Sequence, residues 1–275
     1  MSDTSPGGGA SPRLAIDTTV PNSARIWNYW LGGKDNYAVD RAAGDQFLAT
    51  YPGIAEAARA SRAFQSRAVR YLAEEAGIRQ FLDIGTGLPA ADSIHQVAQS
   101  VAPESRVVYV DNDPIVLTHA TALLKSTAEG TTAYIDADLR EPEMIIAAAA
   151  GPLDLGQPVA VMLLGILGHV TDDAEAYSIV RRLLDPLPTG SYLVLADGTS
   201  AVSGQDVEDA IDDYNETGAV PYSLRTPAQL ARFFDELNLV EPGLISCPRW
   251  RPPASSLFGS EPPESDQFCG VGQKP

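Results

Sequence analysis

Two short runs of this chain place reactive residue types in a fixed order. Phe81-Leu82-Asp83-Ile84-Gly85-Thr86-Gly87-Leu88-Pro89-Ala90 takes an apolar strand into a glycine turn that opens a helix. Val107-Val108-Tyr109-Val110-Asp111 is a second apolar strand, and it ends in a carboxylate. An α/β sheet holds a nucleoside in this way, with bare backbone at one strand end and an acid on the ribose diol. Gly85 and Gly87 let the backbone turn and approach a ligand with no Cβ in between. Asp111 is placed to accept from both ribose hydroxyls. Asp113-Pro114 beside it reads as a helix cap with proline at the first helical position.

Asp83 discriminates among nucleosides. A carboxylate inside an apolar strand needs a partner, because burying it alone is costly. Either the ammonium group of a ligand or the amides of the glycine turn can supply one. A dinucleotide brings a pyrophosphate to this place, and a carboxylate aimed there repels it. Asp83 therefore favours a phosphate-free cofactor such as S-adenosylmethionine. Residues 85–90 also fit G-x-G-x-x-A, so an NAD-dependent oxidoreductase is a competing reading. Asp138, in Asp136-Ala137-Asp138-Leu139, follows a third strand. It can accept from an adenine amino group while the Leu139 amide faces a ring nitrogen, or it caps a turn. Leu163-Leu164-Gly165-Ile166-Leu167-Gly168-His169 ends a fourth strand at Gly165. It delivers His169 to the carboxyl edge of the sheet, as a base or as packing beside the nucleoside.

The elements that position these residues alternate. Strand patterns cover 81–84, 107–111, 132–136, 159–164, 190–197, 240–246 and 267–272. Helix patterns cover 90–100, 113–128, 141–149, 172–185, 204–217 and 226–236. Such alternation predicts an α/β three-layer sandwich with a mainly parallel sheet. No helix pattern joins the last two strands, so the seventh strand is expected antiparallel at the end of a hairpin. Upstream, 39–50 and 54–76 read as helices, the longer one with Phe64, Ala68, Tyr71 and Leu72 on one stripe. Residues 1–20 read as a disordered tail, 21–78 as a helical lid, and 79–275 as the nucleoside-binding domain. In the lid, Trp27, Asn28, Tyr29, Trp30, Lys34 and Tyr37 mix aromatic and polar side chains, as a cover over an acceptor pocket requires. Helical spacing groups Ile26, Tyr29 and Trp30, and Gly32-Gly33 ends that helix.

The chain has 275 residues and a net charge of −17. That field disfavours nucleic acid and anionic membranes as partners. Four arginines, Arg59, Arg62, Arg67 and Arg70, share one helix and read as a solvated or ion-paired face. Cys247 and Cys269 are too few for a disulfide framework or a thiolate zinc site, and no metal is expected. With no export signal at the N-terminus, reduced thiols in a cytoplasm are the expectation.

The ordered set D-x-G-x-G, Asp111, Asp138-Leu139 and the strand before His169 resembles the Rossmann-like class I methyltransferases. Asn22 to Tyr37, DIGTGLPA, VVYVDNDPIVL, LLGILGHV and LVEPGLI narrow the resemblance to a mainly actinobacterial S-adenosyl methyltransferase-like family. It covers about residues 15–275. The resemblance implies S-adenosylmethionine as cofactor and S-adenosylhomocysteine as product, and implies no acceptor. Relatives often carry Asn-Arg where this chain has Ser61-Arg62, and a second histidine where it has Gly168. The expected cofactor contacts are Asp83, Ile84, Gly85, Thr86, Gly87, Asp111, Asn112, Asp138, Leu139, Gly165 and Arg62. Candidate catalytic groups are His169, Tyr29 and Asp35. The leading expectation is methyl transfer to a small molecule. A module that binds the cofactor and transfers nothing is the alternative.

Overall fold

A computed structural model describes residues 17–89, 92–123, 125–253 and 261–275. Most of the expected tail therefore lies outside the described residues, as do Ala90 and Ala91 at the expected helix start. Nine α-helices are described: α1 Ser23–Trp30, α2 Ala38–Thr50, α3 Ile54–Glu74, α4 Ile94–Val101, α5 Pro114–Leu123, α6 Pro142–Ala149, α7 Asp173–Leu184, α8 Gln205–Asn215 and α9 Pro227–Ala231. The strands are β1 Gln80–Ile84, β2 Arg106–Asp111, β3 Thr131–Asp136, β4 Ala160–Leu164, β5 Tyr192–Gly198, β6 Asn238–Leu239, β7 Ile245–Ser246 and β8 Gln267–Gln273.

Among the described residues these form one sheet in the order β3-β2-β1-β4-β5-β8-β6, with β7 also paired to β8. β1 to β5 run parallel. β8 runs antiparallel to β5, β6 and β7. The expected fold class holds, but of the strand expected over 240–246 only Ile245–Ser246 forms, as β7, and a second short piece, β6, lies just upstream; both pair with β8. Pro242 has no amide to give a ladder, and Gly243 turns the chain with φ +90°.

Side chains alternate across each strand. Leu82 and Ile84 face α6 and α7, where Ile145, Ile179 and Leu183 complete one buried layer. Phe81 faces the other way, into Phe64, Ala68 and Leu72 of α3 and Ile94 of α4. Asp83 shares the parity of Phe81, so strand geometry alone turns it toward α3. Cys247 and Cys269 are buried free thiols in this second layer. Among the described residues no helix is long and apolar enough to cross a membrane.

Residues 21–78 pack in two parts. α3 belongs to the sheet layer. α1 and α2 join α8 in a separate apolar cluster built on Ile26, Trp30, Phe47, Val207 and Tyr214. α1 starts where Asn22 Oδ1 accepts from the Arg25 amide at 3.2 Å, as an N-cap should.

Candidate active site

A cavity of about 480 Å³ opens over the carboxyl ends of the strands, beneath α1, α2 and α8. That volume is within the range of about 300–1,000 Å³ usual for small-molecule sites. Most of the residues expected from the sequence converge on it. Its wall includes Arg62 from α3, Asp83 to Gly87 at and just past the end of β1, Asp111 and Asn112 at the end of β2, Asp138 and Leu139 after β3, and Gly165 and His169 after β4. From the N-terminal segment, Trp27, Asn28, Trp30 and Asp35 also line it.

Three expected residues lie outside the cavity, which corrects their reading. Tyr29 points to the surface and donates its hydroxyl to Asp45 Oδ1 at 2.6 Å. That bond raises its pKa above the usual phenol value, the wrong direction for a base. Its ring lies where Gly44 of α2 leaves room, 2.7 Å from where a Cβ would stand. Lys34 is exposed. Tyr37 is exposed and carries the Arg25 guanidinium 5.2 Å from its ring centroid. Asn28 lines the cavity, yet its Oδ1 is occupied in holding the following turn through the Asp35 amide and Asn36 Nδ2, each at 3.0 Å.

The glycine turn is held by β2. The Val110 carbonyl accepts from the Gly85 amide at 2.9 Å. Asp111 Oδ2 accepts from the Gly87 amide at 2.9 Å and Oδ1 from the Asp113 amide at 3.0 Å. Gly85 has φ +77°, and a Cβ there would lie 2.6 Å from Ile166. Asp111 thus performs the amide-binding role that the sequence left open for Asp83. A carboxylate has about four acceptor positions, so Asp111 keeps two for a ligand diol. Asp113 Oδ1 accepts from the Ile115 amide at 2.7 Å, and its Oδ2 takes Asn22 Nδ2 at 2.7 Å. This ties the start of α5 to the start of α1.

Asp83 is buried, and desolvation pushes its carboxyl up to about 7 against the opposing pull of Arg62. Its pKa when folded therefore exceeds the ordinary carboxylate value of 3.8. The stability this carboxyl contributes is full below about pH 4 and is lost as pH rises through about 7. A ligand ammonium needs the charged form. Affinity for S-adenosylhomocysteine is therefore expected to rise up to about tenfold per pH unit below about pH 7 and then level off. Calorimetric titration from about pH 6 to about pH 8 checks this.

His169 Nδ1 lies 3.0 Å from the Pro221 carbonyl. A carbonyl only accepts, so Nδ1 carries the proton and Nε2 is left as an acceptor. Burial lowers the His169 pKa, which keeps the ring neutral near pH 7. Tyr222 packs edge-on to it, with ring centroids 5.0 Å apart. The Tyr222 ring also fills the space beside Gly168, 2.2 Å from where a Cβ would stand.

Sequence reasoning missed Tyr222 and its anchor, Asp197. The Tyr222 hydroxyl donates to Asp197 Oδ1, which is buried at the end of β5. The signal that marked Asp83, an acid closing an apolar strand before glycine, recurs at Asp197-Gly198. It also missed Tyr51, Tyr214, Asp266 and Gln267 in the wall. No spacing rule brings those four residues together.

The model of the S-adenosyl methyltransferase family matches residues 9–275. The chain belongs to that family. It is 47% identical to a DUF574 family protein from Streptomyces avermitilis MA-4680, over 95% of this chain and 100% of that one, with a TM-score of 0.90. It is 38% identical to a proposed methyltransferase from Thermobifida fusca YX, over 94% of this chain and 96% of that one, with a TM-score of 0.83. A search of curated proteins finds no match. This S-adenosylmethionine-dependent methyltransferase has a donor set that fits its cofactor. Two acceptor positions remain on Asp111, and a buried acid and a guanidinium, Asp83 and Arg62, line the same cavity. Gly85 and Gly87 bring no Cβ into the turn.

Proposed function

We propose that this methyltransferase acts on a small molecule and that the cavity holds cofactor and acceptor together. Asp111 binds the ribose diol. Asp138 and Leu139 meet the adenine edge. Asp83 and Arg62 hold the ammonium and carboxylate of the amino-acid end, and Gly85 to Gly87 admit it. When bound, S-adenosylmethionine supplies a methyl group already activated on a cationic sulfur. The residues around the acceptor then have to align it, exclude water and, where it carries a proton, take that proton. His169 Nε2 suits the last task.

The observation that carries this reading is continuity. One cavity includes both the Asp83–Asp111–Asp138 edge and a neutral histidine whose Nδ1 proton is held by the Pro221 carbonyl. Six aspartates and two arginines line it, which supports exclusion of nucleic acid. Two buried free thiols support a reducing, cytoplasmic setting.

The test uses methyl-labelled S-adenosylmethionine and the small-molecule fraction of a Streptomyces extract. Wild-type protein is expected to transfer label. His169→Ala is expected to lose about 10²–10⁴-fold in rate, the usual share of a general base, while S-adenosylhomocysteine affinity stays unchanged. Full turnover in His169→Ala would remove the base assignment. Binding with no transfer to any fraction would favour the cofactor-binding module.

A further inference from the structure

The cavity has two halves that differ in charge. Over β1, β2 and β3 it is lined by Asp83, Asp111, Asp113, Asp138, Arg62 and Arg140. Both lining arginines lie here, and Arg140 Nη2 is held by the His169 carbonyl at 2.8 Å. Over β4, β5 and β8 the wall is tyrosine and aliphatic side chain, with Tyr51, Tyr214, Tyr222, Val207 and Leu224. The acid of this half, Asp266, is occupied. Its Oδ2 accepts from the Tyr51 hydroxyl at 3.0 Å, and its Oδ1 accepts from the Val202 and Ser203 amides at 2.8 and 3.1 Å.

Of the side chains that line this second half, two have a buried polar atom without a partner among the described residues, Tyr214 Oη and Gln267 Oε1; Asp197 Oδ2 and Thr199 Oγ1, also unpartnered, belong to residues outside the lining. Their residues are 7% and 6% exposed, and both line the cavity. Buried polar atoms are nearly always paired, so two orphans in one wall point to a ligand. An amide oxygen only accepts, and a phenol oxygen also can.

Resting on the methyl-transfer reading, we propose that this half takes a neutral, largely apolar, ring-bodied acceptor whose hydroxyl or N–H donates to Gln267 Oε1 or Tyr214 Oη. An anionic acceptor would be buried with no cation beside it. A cationic one would find Asp266, the carboxylate that lines this half, already bound by a hydroxyl and two amides. Either way an unpaired charge leaves water, which is costly. The tyrosine walls offer flat faces to a ring.

Calorimetry on the full chain tests this. S-adenosylhomocysteine is titrated first, and naphthol, naphthoate, naphthylmethylammonium and methoxynaphthalene are then titrated into that complex. Naphthol is expected to bind at least about tenfold tighter than either charged probe. It should also exceed methoxynaphthalene, which keeps the ring and lacks the donor. Gln267→Leu should narrow that last gap and leave S-adenosylhomocysteine affinity unchanged. The wild-type comparison stands even if Gln267→Leu fails to fold. Naphthoate or the ammonium probe binding as tightly as naphthol would overturn the proposal alone. The acidic cavity as a whole attracts cations, so the ammonium probe is the stringent arm. No binding of S-adenosylhomocysteine would overturn the methyl-transfer reading and this proposal with it.

Discussion

Replacing Asp111 with alanine is expected to weaken S-adenosylhomocysteine binding by at least about a hundredfold, since two charge-assisted hydrogen bonds to the ribose are lost at about 1.5–3 kcal/mol each. The carboxylate also accepts from the Gly87 and Asp113 amides, so alanine frees the glycine turn as well. Asp111→Asn separates the two effects, because its amide retains a single oxygen acceptor and no charge. It should fall between wild type and alanine. Burial already raises the Asp111 pKa, so the ligand-free fold carries a desolvation cost that alanine removes. The melting temperature without ligand should therefore change little, while the ligand-induced rise disappears. Calorimetric titration and thermal melting read both results. An alanine variant that binds as wild type would move the ribose elsewhere.

The largest expected stability effect lies in the roof. Asp40 is fully buried, its Oδ2 sits 2.8 Å from Arg25 Nε, and both side chains are shielded from water. Its two oxygens also accept from the Asn22 amide at 2.9 Å and the Tyr37 amide at 2.8 Å. One carboxylate thus joins the start of α1 to the start of α2. Asp40→Ala leaves Arg25 as an uncompensated buried cation, and breaking a buried pair from one side costs about 3–5 kcal/mol. Scanning calorimetry should show a clear fall in melting temperature. Replacing both partners, with Arg25→Met and Asp40→Leu, should recover most of it, because an apolar pair carries no desolvation cost. A loss below about 1 kcal/mol in the single variant would place the roof's anchor elsewhere.

How far the site is legible from sequence depends on distance along the chain. Asp83 and Asp111 could be placed because a strand fixes side-chain parity and its end fixes position over the sheet. Those two rules suffice for the nucleoside edge. Tyr29 shows where they stop. A helical period groups it with Ile26 and Trp30, but all three cannot face inward equally. Ile26 and Trp30 are buried, while Gly44, on another helix, gives the Tyr29 ring a seat at the surface. The second half of the roof was hidden for the same reason. α8 and the loop bearing Tyr222 follow β5 in sequence and look like an ordinary helical connection. Only tertiary packing against Phe47 and Trp30 makes them a wall. The shortening of the strand expected over 240–246 was partly readable, since Pro242 and Gly243 interrupt it.

The assignment of the cavity to an adenosyl cofactor without phosphate is tested most directly by titrating the wild-type protein with S-adenosylhomocysteine and with NAD. Asp83, in β1 just before the glycine turn, predicts saturable one-to-one binding of S-adenosylhomocysteine and no heat from NAD. Tight binding of NAD with none of S-adenosylhomocysteine would contradict it.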